Sequence, residues 1–276
     1  MKKKGSFETI GERQKLYEGM EANRRVLPGL PVLIRLDGRA FHTFCRGLKR
    51  PYDERLSQAM IETAKYLLEE LHASIAYTQS DEITLAFPNT DPLKAMLFDG
   101  RVQKLVAIPA ALATAKFNRM IAQSIPEKAD LFPILDARIW AVSNLDVAAE
   151  HFIWREMDAT RNSLNMAAQS FYSHKSLHGV GSARKHDMLR EKGVNWNDYP
   201  ALFKRGTYLR RELVVKQFTQ DELAQIPEKR RPKGPMVRSV MKELKMPPIS
   251  KVANLNGVLF FGENPIEHQA PVATAA

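Results

Sequence analysis

Two apolar runs of strand length end in acidic turns. Val32 to Leu36, broken only by Arg35, closes on Asp37-Gly38, and the run from Ile75 to Phe87 is interrupted by Ser80-Asp81-Glu82. Ile, Tyr, Thr, Leu and Phe around such turns predict strands, and the second run predicts two that meet at its acidic pair. Between the runs, Leu56, Met60, Ala64, Leu67, Leu68 and Leu71 recur at helical spacing, which predicts an amphipathic helix from Asp53 to His72. Strand, helix and strand around carboxylates predict an α/β sheet with helices packed on one face.

Elsewhere the pattern is more broken. Phe7 to Arg25 predicts a charged helix with Phe7, Ile10, Tyr17 and Met20 as anchors, ended by Leu27-Pro28-Gly29-Leu30-Pro31. Asp91 to Gln123 predicts helix, broken near Gly100 and bent at Pro109. A strand follows over Phe132 to Val142 and a helix over Val147 to Phe171. Leu177 to Pro200 lacks periodicity and predicts loop with short helices, whereas Tyr208 to Phe218 predicts a strand. Glu228 to Pro235 is a basic, proline-broken loop, suited to solvent or to a phosphate backbone, and Glu263 to Ala276 predicts a frayed tail.

Composition narrows the class. At 276 residues and 44% hydrophobic content the chain fills a real core, and its net charge of +10 favours a polyanionic partner, although solvated basic faces give the same total. The single cysteine, Cys45, excludes an internal disulfide and a multi-cysteine zinc site and fits a reducing compartment. Met1-Lys2-Lys3-Lys4 resembles the start of a signal peptide, but Gly5-Ser6-Phe7-Glu8 follows where an apolar core is needed. No segment reads as long and apolar enough for a membrane span, so a cytoplasmic protein is expected. Walker, Gly-x-Ser-x-Gly and Gly-x-Gly-x-x-Gly motifs are missing from the sequence.

The acidic turns carry the candidate chemistry. Asp37, the Gly38 carbonyl and Asp81 form the kind of oxygen set that holds hard divalent cations against a nucleotide triphosphate. Strand neighbours face opposite sides, so Glu82 is expected in a supporting place, not on the same cation as Asp81. An ordinary Asp-Gly turn and a plain hairpin explain the same residues, and Asp99-Gly100-Arg101 shows that the tripeptide alone decides nothing. Candidate phosphate ligands are Arg39, Arg50 and the helix-spaced pair Arg101 and Lys104. Phe41, His42 and Phe44 are placed either as a base platform or as core.

Taken together, Arg35 to Phe44, Lys49-Arg50-Pro51-Tyr52-Asp53 and Tyr77 to Glu82 resemble the tRNA-histidine guanylyltransferase family and its Thg1-like relatives. Further matches in family order are Phe98 to Lys104, Phe132 with Asp136-Ala137-Arg138, Trp154 to Ala159 and Lys204-Arg205-Gly206-Thr207. The resemblance implies a palm-like antiparallel sheet, with a catalytic domain over 1–145 and a part completing the catalytic and tRNA-binding region over 146–262. It implies a nucleotidyltransferase that extends tRNA in the 3′-to-5′ direction, with two Mg2+ ions, ATP and GTP as substrates, and a homotetrameric assembly. Asp37, Gly38 and Asp81 are then metal ligands, Asp37, Asp81 and Glu82 of the acidic motif are the catalytic residues, and residues Asp37 to His42 with Ser80 and Asp81 bind nucleotide, Ala40 and Phe41 among them. Arg155, Asn162, Lys204, Arg205, Lys229, Arg230 and Arg231 are candidate tRNA contacts.

One block departs from guanylyltransferases acting on tRNA-histidine, whose motif continues His-Ile-Asn-Asn-Leu-Tyr-Asn. Here it reads Thr160-Arg161-Asn162-Ser163-Leu164-Asn165-Met166, closer to the Thg1-like branch associated with repair of truncated tRNA 5′ ends. A palm-type nucleotide cyclase and a non-catalytic basic RNA-binding protein are the competing classes.

Overall fold

The computed structural model describes residues 9–232 and 234–268. Six strands, β1 Val32–Gly38, β2 Ile75–Gln79, β3 Glu82–Phe87, β4 Leu135–Ala141, β5 Thr207–Lys216 and β6 Met236–Glu243, form one antiparallel sheet in the order β4-β1-β3-β2-β5-β6. The main helices are α1 Ile10–Ala22, α2 Phe41–Phe44, α3 Glu54–Glu70, α4 Val102–Ser124 and α5 Leu145–Gln169. Crossovers β1–α3–β2 and β3–α4–β4 interlock to give a split βαβ pair, the arrangement of a palm-like sheet.

Strand alternation divides the core in two. Val32, Ile34 and Leu36 of β1, with Ile83 and Leu85 of β3, pack beneath Ala64, Leu67 and Leu68 of α3 and Leu105, Ala113 and Phe117 of α4. On the opposite face Leu33, Ile75, Tyr77, Ala86 and Tyr208 pack against Ala148, Ala149 and Phe152 of α5 and a short helix, Leu255–Phe260. Helices are expected on one face only; α5 covers part of the other because Leu33 of β1, Ile75 and Tyr77 of β2 and Ala86 of β3 turn apolar side chains to that side as well. Asp53 caps α3 through Oδ1, which accepts the Arg55 N–H at 3.0 Å, and Asn144 caps α5.

Some expectations move. Val102–Ser124 is, by length and composition alone, apolar enough to cross a membrane, against the sequence expectation. Its Leu105, Pro109, Ala113, Phe117 and Ile121 face the protein core and it runs on through Pro109. Helix α1 buries none of its residues, so Ile10, Tyr17 and Met20 are exposed instead of anchoring it, and Phe7 lies outside the described residues. The expected tail is fixed as far as residue 268: Ala253 N–H donates to Ile266 O at 2.7 Å and His268 N–H to Lys251 O at 2.8 Å. The boundary near 145 does not divide the sheet, because β5 pairs with β2 from Tyr77↔Tyr208 to Ile75↔Arg210.

Candidate active site

The two acidic turns meet at one end of the sheet. Gly38 N–H donates to the Asp81 carbonyl at 3.0 Å, and Arg39 N–H donates to Ile134 O at 2.9 Å, so the ends of β1, the β2–β3 turn and the start of β4 are tied together. A Cβ on Gly38 would stand 2.3 Å from the Phe41 ring, which is buried against Phe44 and Phe117 with ring centroids 5.3 and 5.4 Å away. A packed ring cannot retreat, so this position takes only glycine. Three non-glycine residues beside it sit in the left-handed region, Ala40 at φ 55°, Ser80 at 54° and Phe132 at 44°. Strain of that kind persists where surrounding structure enforces it, commonly at functional sites.

Pairing then stacks like residues in rungs on the α5 face. Asp37 lies between Glu82 on β3 and Asp136 on β4, while two residues back Arg35 lies between Thr84 and Arg138. An acidic rung at the sheet end thus adjoins a basic one. Glu82 accepts from Arg155 Nε at 2.8 Å and lies 3.9 Å from Arg35, and Arg155 also pairs with Asp158 at 3.2 Å. Burial nevertheless pushes the Glu82 carboxyl above its ordinary range, partly offset by Arg155. Glu82 is therefore a buried brace that links β3 to α5 through Arg155, and its charge is already answered.

Asp81 differs, because burial and then the charge of Asp37 push its carboxyl up. The pair is close enough to repel, and among the described residues no buried cation pairs with either carboxylate. With the Gly38 carbonyl these carboxylates make an oxygen-only set that suits Mg2+, a cation that keeps water and phosphate oxygens among its ligands. Among the described residues no group of three or more His, Cys, Asp or Glu side chains forms a metal cage. The set thus fits an ion shared with substrate and does not fit a closed structural site.

Beside Ser80 opens a cleft of about 310 Å³, lined by His42, Lys49, Arg50, Tyr52, Met166 and Phe203 among others. Tyr52 stacks on Phe203 at 4.7 Å, joining the segment before α3 to the helix Ala201–Lys204. Cys45 also lines the cleft, and burial followed by the Asp81 charge pushes its thiol up to about 11, so it is an inert small side chain. Ser80 thus borders the same cleft as His42 and Arg50, which precede it by 30 residues or more in sequence. Arg39 and Ala40 are exposed on the loop that follows β1.

Other candidates do not converge. The Phe41 and Phe44 rings belong to the core, so neither is a base platform. Arg101 and Lys104 stand at the start of α4, where Arg101 bridges Arg25. Since Phe117 is the part of α4 that reaches Phe41, Arg101 lies about 24 Å away along the helix and does not join the carboxylates within one chain. Arg155 is buried in its Glu82 and Asp158 pairs and is unfit for an RNA contact. Arg205 is drawn toward Glu156 at 3.9 Å, and Lys204 lies over Trp196 while donating to Asn197 O. Asn162 donates to Asp158 Oδ2 at 3.2 Å. Lys229, Arg230 and Arg231 are exposed between β5 and β6, and Lys233 lies outside the described residues.

His151, which the sequence did not single out, sits behind the basic rung with Nε2 3.3 Å from Thr84 Oγ1. Burial, then the charges of Arg155 and Arg35, lower its pKa to about 4. The imidazole is neutral in the fold and protonates on unfolding below its ordinary value near 6.5. Its contribution is therefore complete above pH 6.5 and is lost as pH falls toward 4, by about 3 kcal/mol. Urea unfolding of His151→Gln, compared with the parent across that window, should show a flatter pH dependence by that amount. Glu82 and Glu156, with carboxyls held above their ordinary range, tilt both proteins equally and cancel in the difference.

The tRNAHis guanylyltransferase family model matches residues 11–143. A bacterial tRNA(His) guanylyltransferase (Thg1)-like protein solved in complex with ATP is 32% identical, with a TM-score of 0.73 over 88% of this chain and 95% of its own. The chain belongs to the tRNA(His) guanylyltransferase family. A bacterial Thg1-like protein in complex with GTP is 30% identical, with a TM-score of 0.68 over 88% and 94%. The tRNA(His) guanylyltransferase of Schizosaccharomyces pombe is 27% identical over 237 residues, 79% of this chain and 85% of that one. Membership makes this chain a nucleotidyltransferase with a palm-like fold, and within that family the two acidic turns are the part of the sheet that carries its candidate chemistry.

The sequence alone gives Asp136, Arg138 and Asp158 no role, although all three lie in matched blocks. Their signal is the strand register, which sets Asp136 opposite Asp37 and is not written in either strand alone.

Proposed function

We propose that this chain is a Mg2+-dependent 3′-to-5′ nucleotidyltransferase that adds nucleotides to the 5′ end of tRNA, using ATP and GTP. The observation that carries the reading is the 3.0 Å hydrogen bond from Gly38 N–H to Asp81 O, which brings two turns 43 residues apart into one oxygen-rich site beside the cleft. Relatives solved with ATP and GTP support the nucleotide assignment. Asp37, the Gly38 carbonyl and Asp81 would hold the ions, which when bound supply charge neutralisation at the attacking and leaving oxygens.

The remaining work falls to the chain. His42, Lys49 and Arg50 line the cleft where a nucleotide's base, ribose and phosphates would sit. An incoming nucleotide's 3′-hydroxyl attacks the activated 5′-phosphate of tRNA, the phosphorus–oxygen bond to the leaving group breaks, and the hydroxyl proton passes to solvent. In-line displacement asks the protein mainly for position and charge, which is what rigid strand ends with cationic walls supply. The exposed Lys229, Arg230 and Arg231 suit the tRNA backbone, and such contacts set affinity without reading sequence.

Repair of truncated tRNA is the reading favoured over strict guanosine addition. Thr160 stands where tRNA-histidine enzymes carry His, and its Oγ1 donates to Glu156 O at 2.8 Å, back into its own helix. That side chain cannot do the work of an imidazole. Offered full-length tRNA-histidine and several 5′-truncated tRNAs, the enzyme should extend the truncated set with more than one kind of nucleotide; a single guanosine placed only on tRNA-histidine would overturn this choice. A homotetramer is supported by the family resemblance and by Leu213, Val215 and Val237, exposed on the β5–β6 ribbon. A cytoplasmic location suits the single cysteine.

A further inference from the structure

The acidic rung is unevenly neutralised. Glu82 has Arg155 and Arg35, whereas Asp37 and Asp136, set directly opposite each other, share one cation, Arg138. Arg138 Nη2 lies 3.8 Å from Asp37 Oδ2 and 3.8 Å from Asp136 Oδ1, too far for a hydrogen bond to either. Its side chain is about half exposed, at 55%, on the outermost strand of the sheet. A loose, solvated ion pair of that kind adds little stability, and like charges facing across a ladder oppose it. A guanidinium held beside two carboxylates with its donors unused is arranged to change partners.

We propose that Arg138 is a substrate-contacting residue of this site: it balances Asp37 and Asp136 before the divalent ion is present, and turns to the nucleotide's phosphate oxygens when the ion arrives. The proposal rests on the assignment of Asp37 as a metal ligand. The Asp37 and Asp136 carboxylates would attract a free cation, but Arg138 lies 3.8 Å from each and opposes its entry. When the ion comes with a triphosphate, the guanidinium gains paired phosphate oxygens that its fork fits, and the repulsion becomes attraction. Metal and triphosphate are thereby coupled, each binding better with the other than alone.

Calorimetry with the full chain reads this without turnover, using Mn2+ alone and then Mn2+ with a non-hydrolysable ATP analogue. In Arg138→Gln, Mn2+ alone should bind about fivefold more tightly, and the analogue with Mn2+ about tenfold more weakly, because the coupling between them is lost. Arg138→Lys, which keeps the charge but not the fork, should restore the weak affinity for metal alone and only part of the analogue affinity. Equal binding of both probes in Arg138→Gln and parent overturns the proposal. Asp37→Asn separates the two claims: if it leaves Mn2+ binding intact, the metal site itself is misassigned, whereas its loss alongside an unchanged Arg138→Gln rejects only the role of Arg138.

Discussion

Asp81→Asn is expected to lower nucleotidyl transfer by at least about a thousandfold, the scale of several kcal/mol of lost electrostatic stabilisation, without lowering stability. The two halves have one cause. In the free protein the Asp81 carboxylate is buried and repelled by Asp37, which pushes its pKa up. A raised carboxyl disfavours the folded state once pH passes its ordinary value, so removing the charge relieves the fold while removing the proposed metal ligand. Denaturant unfolding at neutral pH should place Asp81→Asn at or above the parent. Asp37→Asn should be equally inactive and should bring the Asp81 carboxyl back toward its ordinary range, which carboxyl NMR titration reads. Retained turnover in either variant would remove the paired-carboxylate assignment.

Arg155→Ala is expected to be the most destabilising single exchange near the site. Its guanidinium meets Glu82 at 2.8 Å and Asp158 at 3.2 Å, and both carboxylates are nearly enclosed, at 12% and 17% exposure. Deleting one partner of a buried pair strands the other, a loss of about 3–5 kcal/mol. In a chain of this size that lowers Tm by roughly 10 °C. Adding Glu82→Gln to Arg155→Ala should recover much of the loss, since the stranded charge is then gone. If the double variant is as unstable as Arg155→Ala, Glu82 is not the group that Arg155 neutralises.

Those two residues mark where the sequence is and is not legible. Asp37 and Asp81 stand at ends of apolar runs with clear strand chemistry, and period-two alternation separates Glu82 from its neighbour Asp81, whereas only register shows that Glu82 lies opposite Asp37. Helices α3 and α5 were readable because their apolar stripes repeat over four or more turns. Strand β6 was not, because it pairs only with β5 and most of its residues are exposed, so burial imposes no alternation on it. Arg155 carried a basic, RNA-like label that its two buried carboxylates erase. Arg138 gained a role only from register: opposite Arg35, it is diagonal to Asp37, a neighbour 101 residues away in sequence. Local pattern finds the carboxylates, and tertiary pairing decides which charges answer them.

The central claim is growth of an RNA at its 5′ end. A 3′-end-labelled, 5′-triphosphorylated truncated tRNA, incubated with the chain, Mg2+ and nucleoside triphosphates, should lengthen in single-nucleotide steps. Each step should release one pyrophosphate, and the reaction should stop when EDTA is added. An RNA of unchanged length would contradict the account, most clearly if cyclic nucleotide formed from ATP or GTP in its place.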